Sequence, residues 1–408
     1  MSSDVRPPVD DIRMRGFGKL TPVRDVLSHI GNFGGPCEAE TIPIQDAGGR
    51  VLAKSVVSPI NVPSHRRAAM DGYAVAAAEL PGGFSIVGEA KPGRPFAEPL
   101  QAGQAVRVMT GAPVPDGADV VVPVERCEAT AVAVNIPLRY SAGKHVIAVG
   151  EDVAEGEEVL RRLRALRPQD VGLLSSLGIA SASVVAKPRV KLLITGGELL
   201  PPGSPPSGFH IADSNSVMLR AFVERDGGVV TATVRVPDDP DRLRAEMTGG
   251  EWDLLLVSGG TSVGVDDHAP NVLRELAAWF FHGLAMRPGM PAGYGVFPNG
   301  RIVYLLPGNP VACLFAYDLL ARVSLRRLAG LPTDWPYQTI SLPLTSAIES
   351  KAGRVDYVRV IVAFEHADLV PRSGAANLSS AVRADGFFII EADVERLAAG
   401  SDVTVYIY

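Results

Sequence analysis

Cysteine is nearly absent: three residues in 408, Cys37, Cys127 and Cys313, far apart and without a CxxC. That excludes a disulfide framework and a cysteine-based zinc site, and makes a reducing compartment the default. Long apolar runs are missing too, since none reaches the ~18 residues of a membrane span. The opening stretch MSSDVRPPVDDIRMRGFGK mixes charges with prolines and has no apolar core, so it does not read as a signal peptide. A cytoplasmic chain with no membrane partner is expected. Positive charge is in deficit, 39 Lys and Arg against 45 Asp and Glu, a formal charge of −6. No basic field therefore advertises nucleic acid, and an anionic substrate must be held by local donors. No GxGxxG, GxxxxGK[ST] or HExxH occurs, and no Ser/His/Asp spacing presents a hydrolase, which disfavours dinucleotide, Walker-type, zincin and triad chemistry.

The sequence is rich in hydrophobic residues (47%) and ordinary in charged ones (21%), which excludes a wholly disordered chain. With 42 Gly and 33 Pro it is rich in turns. Its length suggests two to four domains at ~100–200 residues each. Residues 1–19 read as a polar arm. A helix follows, with Thr21 as N-cap and Pro22 at the first helical position. From about 40 to 150, short β segments alternate with Gly/Pro turns, and a helix near 168–178 ends at Gly178. From about 187, apolar strands alternate with helices, the pattern of a parallel sheet covered on both faces. Residues 334–408 return to β. The expected fold class is multi-domain α/β.

Three loops sit where strands of the α/β region end: Thr195-Gly-Gly-Glu198, Ser258 to Asp267, and Pro307-Gly-Asn-Pro310. Ligands of open α/β sheets bind at the carboxyl ends of strands, and glycines let backbone N–H groups approach an anion. One such loop alone could merely turn the chain; three at one sheet end point to a phosphate or oxyanion cradle. Glu198, Asp238, Asp239, Asp266 and Asp267 fall at the same strand ends, and carboxylates beside phosphate suit Mg²⁺. Asp238 could instead cap the helix at Pro240, and Asp266 and Asp267 could be a solvated turn. Asp71-Gly72 could be a hairpin turn, and Thr110 to Pro115 a strand with a stiff turn. His65, His210 and His268 are isolated, and Cys313 reads as core.

Together the loops resemble the molybdopterin molybdenumtransferase family, bacterial MoeA and the E domain of gephyrin. The resemblance rests on AMDGYAV at 69–75, RVMTGAPVP at 107–115, GEDV at 150–153, LRPQDVGLLSSLG at 166–178, TGGEL at 195–199, DSN at 213–215, SGGTSVGVDD at 258–267, RPGMP at 287–291, PGNPVA at 307–312 and LSSAVRADG at 378–386, in the family's order. It implies an enzyme that takes adenylated molybdopterin and molybdate as substrates, inserts molybdenum and releases AMP. It implies an elongated domain I (20–58 with 144–186), a β-rich domain II (59–143), a MoaB/MogA-like doubly wound domain III (187–333) and a small β-barrel-like domain IV (334–408).

By the same resemblance the protein is a homodimer with a cleft between the α/β domain of one subunit and the N-terminal β domain of the other. Asp71, Thr110, Glu198, Asp238 and Arg287 would be catalytic. Asp267 and Glu198 would hold Mg²⁺, and Ser258, Gly259, Gly260, Ser262, Gly264, Pro307, Gly308 and Asn309 would bind substrate. A molybdopterin adenylyltransferase and a molybdoenzyme or cofactor carrier would be partners. The sequence departs from the family at Gly197, at Gly283 and Met290 where lysines are frequent, at Ala312 for a serine, and at Ile147 to Val149 for an arginine-rich stretch, leaving Arg287 as the basic residue of its loop. The alternative those departures raise is a catalytically weak paralogue that binds molybdopterin intermediates or partner proteins.

Overall fold

The computed structural model describes residues 16–371 and 374–408, so most of the expected polar arm lies outside the described residues. The chain forms two compact units, residues 41–184 in one and the remainder, up to residue 40 and from 185 to 408, in the other. The first described helix, α1 (Val23–Asn32), buries Val23, Val26 and Ile30. These lie three and four residues apart, one stripe of a helix. Pro22, not Thr21, takes its N-cap position. Thr21 is drawn off instead, donating its N–H to Gly283 O and accepting from Ala285 N–H at 2.8 and 2.9 Å. The buried stripe joins a core with Leu192, Leu219 and Leu325. Residues 20–40, expected in domain I, thus pack with the α/β region.

The 41–184 unit carries strands β1 (Gly72–Val75), β2 (Gly82–Ala90), β3 (Gln104–Val108), β4 (Val120–Pro123), β5 (Glu128–Ala129) and β6 (Ala133–Ile136). They form a six-stranded sheet in the order β4-β1-β3-β2-β6-β5. Alternate residues feed two cores, Ala74, Val106 and Val121 on one face and Tyr73, Val75, Val120 and Val122 on the other. Helix α2 (Pro168–Ser176) buries Leu174 against Leu52, Leu166 and Val184, and Gly178 beyond it has φ +76°. Asp170 in its first turn is clamped by Arg164 and Arg167.

The larger unit holds β7 (Arg189–Thr195), α3 (Asn215–Arg225), β8 (Val229–Val236), α4 (Pro240–Thr248), β9 (Leu254–Ser258), α5 (Ala269–Leu276), β10 (Trp279–His282), β11 (Met286–Arg287), β12 (Gly293–Val296), β13 (Ile302–Leu306), α6 (Pro310–Ala316) and α7 (Arg322–Leu328). A π-helical turn over Tyr317–Ala321 joins the last two helices. The sheet order is β8-β7-β9-β13-β12-β10. The first four strands are parallel; β12 runs antiparallel to β13 and β10 antiparallel to β12, so the sheet is mixed at one edge rather than wholly parallel. Leu192, Leu256 and Tyr304 pack toward α1, α3 and α6, while Leu193, Leu255 and Val303 pack toward α4 and α5. Both faces are covered, as uninterrupted apolar strands require. Each fully buried leucine contributes roughly 1.5–3 kcal/mol to that core.

The C-terminal strands β14 (Gln338–Pro343), β15 (Val355–Ala363), β16 (His366–Leu369), β17 (Gly386–Ile390) and β18 (Asp402–Ile407) form a second sheet. Its order is β11-β15-β17-β18-β14, with β16 on β15. Strand β11, from the middle of the α/β segment, thus serves as its edge, parallel to β15.

Candidate active site

The carboxyl ends of β7, β8, β9 and β13 open into one cavity of about 670 Å³. Its lining includes Glu198, Asp238, Ser258, Gly259, Gly260, Ser262, Gly264, Asp267, Pro307, Gly308 and Asn309. All the expected residues of the α/β region except Arg287 therefore meet in one place.

The tight loops have local reasons. A Cβ on Gly259, whose φ is +91°, would fall 2.2 Å from Thr195 O, and one on Gly260 would fall 2.6 Å from Thr195 Oγ1. The Ser258–Asp267 loop is thus pressed onto the end of β7 in a conformation that only glycine adopts without strain. Farther along, Gly264 N–H donates to Asp267 Oδ2 at 2.6 Å, which fixes one carboxylate oxygen. Asn215 Nδ2 donates to Ser258 Oγ at 2.9 Å and to Gly308 O at 2.8 Å, tying the start of α3 to two of the loops. Asn215 Oδ1 is buried without a hydrogen-bond partner among the described residues. Asp213 Oδ1 accepts the Ser216 N–H at 2.9 Å and so holds the first turn of α3. Neither Asp213 nor Asn215 was among the expected site residues; the DSN motif just before a helix was the signal that could have found them.

Capping of α4 falls to Asp239, whose side chain accepts from Arg242 N–H at 2.8 Å. That leaves Asp238 to the cavity. Burial pushes the Asp238 carboxyl above its usual range, and the negative charges of Glu198, Asp267 and Asp266 push it further. Five carboxylates line the cavity, Asp213 and Asp266 with the three expected ones; they repel one another, and a cation relieves that repulsion. They do not make a closed cage, since no group of three or more His, Cys, Asp or Glu among the described residues is arranged to hold a metal ion.

In the other unit, Thr110 donates both its backbone N–H and its hydroxyl to Asp71 Oδ1, at 2.6 and 2.8 Å. Those two donors hold the exposed Asp71 carboxyl below its ordinary range. Gly72 opens strand β1 rather than sitting in a turn, and a Cβ there would lie 2.0 Å from Val122 O. Its absence lets β4 approach β1 and brings Asp71 to the strand end beside Thr110.

Three family models account for most of the chain: "MoeA N-terminal region (domain I and II)" over residues 21–178, "Probable molybdopterin binding domain" over 191–327, and "MoeA C-terminal region (domain IV)" over 341–408. Among curated relatives, a molybdopterin molybdenumtransferase 2 of Mycobacterium tuberculosis is 34% identical over 388 residues, covering 91% of this chain and 95% of the relative. A molybdopterin molybdenumtransferase of Haemophilus influenzae is 30% identical, covering 91% and 94%.

The chain belongs to the MoeA family.

Among solved structures, a molybdopterin biosynthesis MoeA protein from Pyrococcus horikoshii OT3 aligns with a TM-score of 0.80 at 29% identity, covering 96% of this chain and 100% of that one. The expected architecture of an α/β domain flanked by N- and C-terminal domains holds for this MoeA chain.

One expected catalytic residue stands elsewhere. Arg287 on β11 is ion-paired with the buried Asp356 of β15 and does not line the cavity. Asp356 also accepts from Arg354 Nε at 2.7 Å and Ser350 Oγ at 2.9 Å. The guanidinium expected to hold an oxyanion instead ties two neighbouring strands of the C-terminal sheet, in which Arg287 and Asp356 are register partners. Other departures from the MoeA pattern also have physical settings. The Phe17 ring stands where a Cβ on Gly283 would be, 2.3 Å from its nearest atom, so a lysine there would displace it. Ala312 is buried on α6, whereas Met290 is partly exposed. Among the described residues, no helix is long and apolar enough to cross a membrane.

Proposed function

We propose that this chain inserts molybdenum into adenylated molybdopterin, using molybdate and releasing AMP, the last step of molybdenum cofactor synthesis. The observation that carries the reading is the cavity itself: tight glycine loops and carboxylates at the ends of four parallel strands. Relatives named as molybdopterin molybdenumtransferases, matched over nearly their whole length, support an enzyme over a catalytically weak carrier.

Backbone N–H groups of the 258–264 loop would receive the phosphates, and Ser258, Ser262 and Asn309 would orient the substrate. The cavity suits Mg²⁺ because its donors are carboxylate oxygens, and Mg²⁺ is usually held by one or two carboxylates together with substrate phosphates rather than by an all-protein cage. Asp267, with one oxygen already fixed by Gly264, and Glu198 would be the ligands. The ion would neutralise the pyrophosphate link and the departing phosphate. Asp71, kept ionised by Thr110, would complete the site from a second chain of a homodimer.

An adenylyltransferase supplying the substrate, a molybdoenzyme or carrier taking the product, a cytoplasmic location and the division into four domains belong to the same reading. Incubation with adenylated molybdopterin, Mg²⁺ and molybdate should yield AMP and cofactor in equal amounts. Tight binding of adenylated molybdopterin with no AMP at any molybdate concentration would replace the enzyme by the carrier. Mixing Asp71→Ala with Asp267→Ala chains should restore activity, since a mixed dimer keeps one unmutated site. No recovery despite proven subunit exchange would remove the dimer from the reading.

A further inference from the structure

On the outer edge of the larger unit, a separate notch of about 470 Å³ lies between α3 and β8, lined by Pro202, Ser216, Val217, Arg220, Thr233 and Arg235. Its existence depends on a β-bulge. Val230 pairs with Val190, but Ala232 pairs with Lys191, so Thr231 is an extra residue. Past it, Thr233 pairs with Leu192 and Arg235 with Ile194. Paired residues share a face, and Leu192 and Ile194 face the α3 side. Without the bulge, Thr233 and Arg235 would point to the α4 side; re-aiming of this kind is what bulges do. From the helix, Ser216 and Arg220 are one turn apart and meet them.

The two guanidiniums are oriented yet largely unspent. Arg220 Nη2 donates to Thr233 Oγ1 at 3.3 Å. Arg235 Nε lies 3.6 Å from Asp213 Oδ2, beyond hydrogen-bond distance. Each guanidinium has five N–H donors in a fixed fork, so most remain available to the notch. One arginine on an edge strand is ordinary protection against strand pairing. Two from different elements lining one notch, together with Thr233 and Ser216, are more than that requires. The nearby negative charges are Asp213, already engaged with Ser216 N–H, and the exposed Glu224 one turn beyond Arg220.

We propose that this notch binds a tetrahedral oxyanion dianion through Arg220 and Arg235. Asp213 lines the main cavity and also meets Arg235, so the notch and the cavity share a wall. If the function proposed above is right, the oxyanion is molybdate, held beside the site that consumes it; that identification rests on the proposed function, whereas the notch itself requires only a tetrahedral dianion.

The test is equilibrium dialysis of the full chain, without molybdopterin, against molybdate, inorganic phosphate and sulfate in separate arms at fixed ionic strength. Arg220→Ala with Arg235→Ala should weaken oxyanion binding at least about tenfold, as loss of charge-assisted hydrogen bonds does. Arg220→Lys with Arg235→Lys, which keeps the charge but loses the fork, should weaken it less. Molybdate held tighter than phosphate and sulfate supports the molybdate identification; equal binding of the three supports the site and removes that identification. Binding unchanged in both double variants, each with an unaltered melting temperature, overturns the proposal. If the alanine pair does not fold, the lysine pair and single Arg220→Ala, at an exposed helical position, carry the test. Failure of AMP release with oxyanion binding intact would count against the enzyme reading and leave this site standing.

Discussion

Asp71 and Asp238 are the same side chain at the end of a strand in different units, and their surroundings push them in opposite directions. Asp71 is exposed and accepts two hydrogen bonds from Thr110, so its charged form is favoured. Asp238 is half-buried among Glu198, Asp266 and Asp267, so its charged form is penalised by burial and then by its neighbours. Asp170 completes the contrast. It is buried like a core residue, yet hydrogen bonds from Arg167 and Arg164 hold it far below the usual carboxylate range. Burial alone does not set the state of these acids; the nearest donors or like charges do. A pair of fixed donors makes an acid a stable anion, whereas a cluster of acids whose like charges outweigh the few donors, Gly264 N–H beside Asp267 and the Thr195 hydroxyl beside Asp238, makes a place for a cation.

The contrast can be broken most severely in the cavity. Replacing Glu198→Gln and Asp267→Asn together removes two negative charges where the phosphates are expected. AMP release at fixed Mg²⁺ should fall at least about a hundredfold, on the scale of lost electrostatic stabilisation at an active site, with the circular dichroism spectrum unchanged. At the other acid, Thr110→Val takes away the hydroxyl donor and leaves the backbone one. The Asp71 carboxyl should move up toward its ordinary value in a carbon-13 NMR titration, and AMP release should drop by about a factor of ten.

Asp170→Asn should cost about 2 kcal/mol in denaturant unfolding at pH 7, since it removes a buried anion from two partly exposed arginines. The sign of its pH dependence follows from the depressed folded value. The stabilisation is fully present above the unfolded value near pH ~3.9 and is lost as pH falls through the folded one. Wild type and variant should therefore differ by a constant amount near neutrality and converge only in strong acid. The smallest effect has the opposite sign: Asp238→Asn should stabilise the chain at pH 7 by on the order of 0.5 kcal/mol after solvent screening. For this acid the folded value is raised, so the penalty exists above it, shrinks as pH falls through it and is gone below the unfolded value. The variant's gain should disappear in the same window.

Much of the cavity was legible because strand, glycine loop and helix follow one another in the α/β region, and ligands gather at the carboxyl ends of such strands. What could not be read depended on partners distant in sequence. Asp238 and Asp239 are adjacent, and only the extended backbone of Asp239 ahead of α4 decides which one caps. Arg287 looked like the last basic donor of its loop, but its partner Asp356 lies 69 positions away in sequence, buried on the strand that pairs with β11. The stripe Val23, Val26, Ile30 foretold a helix and one buried face, but no periodicity says which core receives that face. The bulge at Thr231 was equally hidden, because alternation along β8 is weak in sequence and its change of face appears only in the register with β7.

The central claim, that the carboxylates of this cavity form a cation site completed by substrate phosphate, is tested most directly with Mn²⁺ as a paramagnetic stand-in for Mg²⁺. Electron paramagnetic resonance should show weak Mn²⁺ binding to the wild-type chain, strengthened at least about tenfold by pyrophosphate, because Mg²⁺-type sites lean on substrate phosphates for part of their ligand set. The Glu198→Gln, Asp267→Asn chain should lose both the binding and the strengthening. Mn²⁺ bound equally well by that variant, or no response to pyrophosphate in the wild type, would contradict the account.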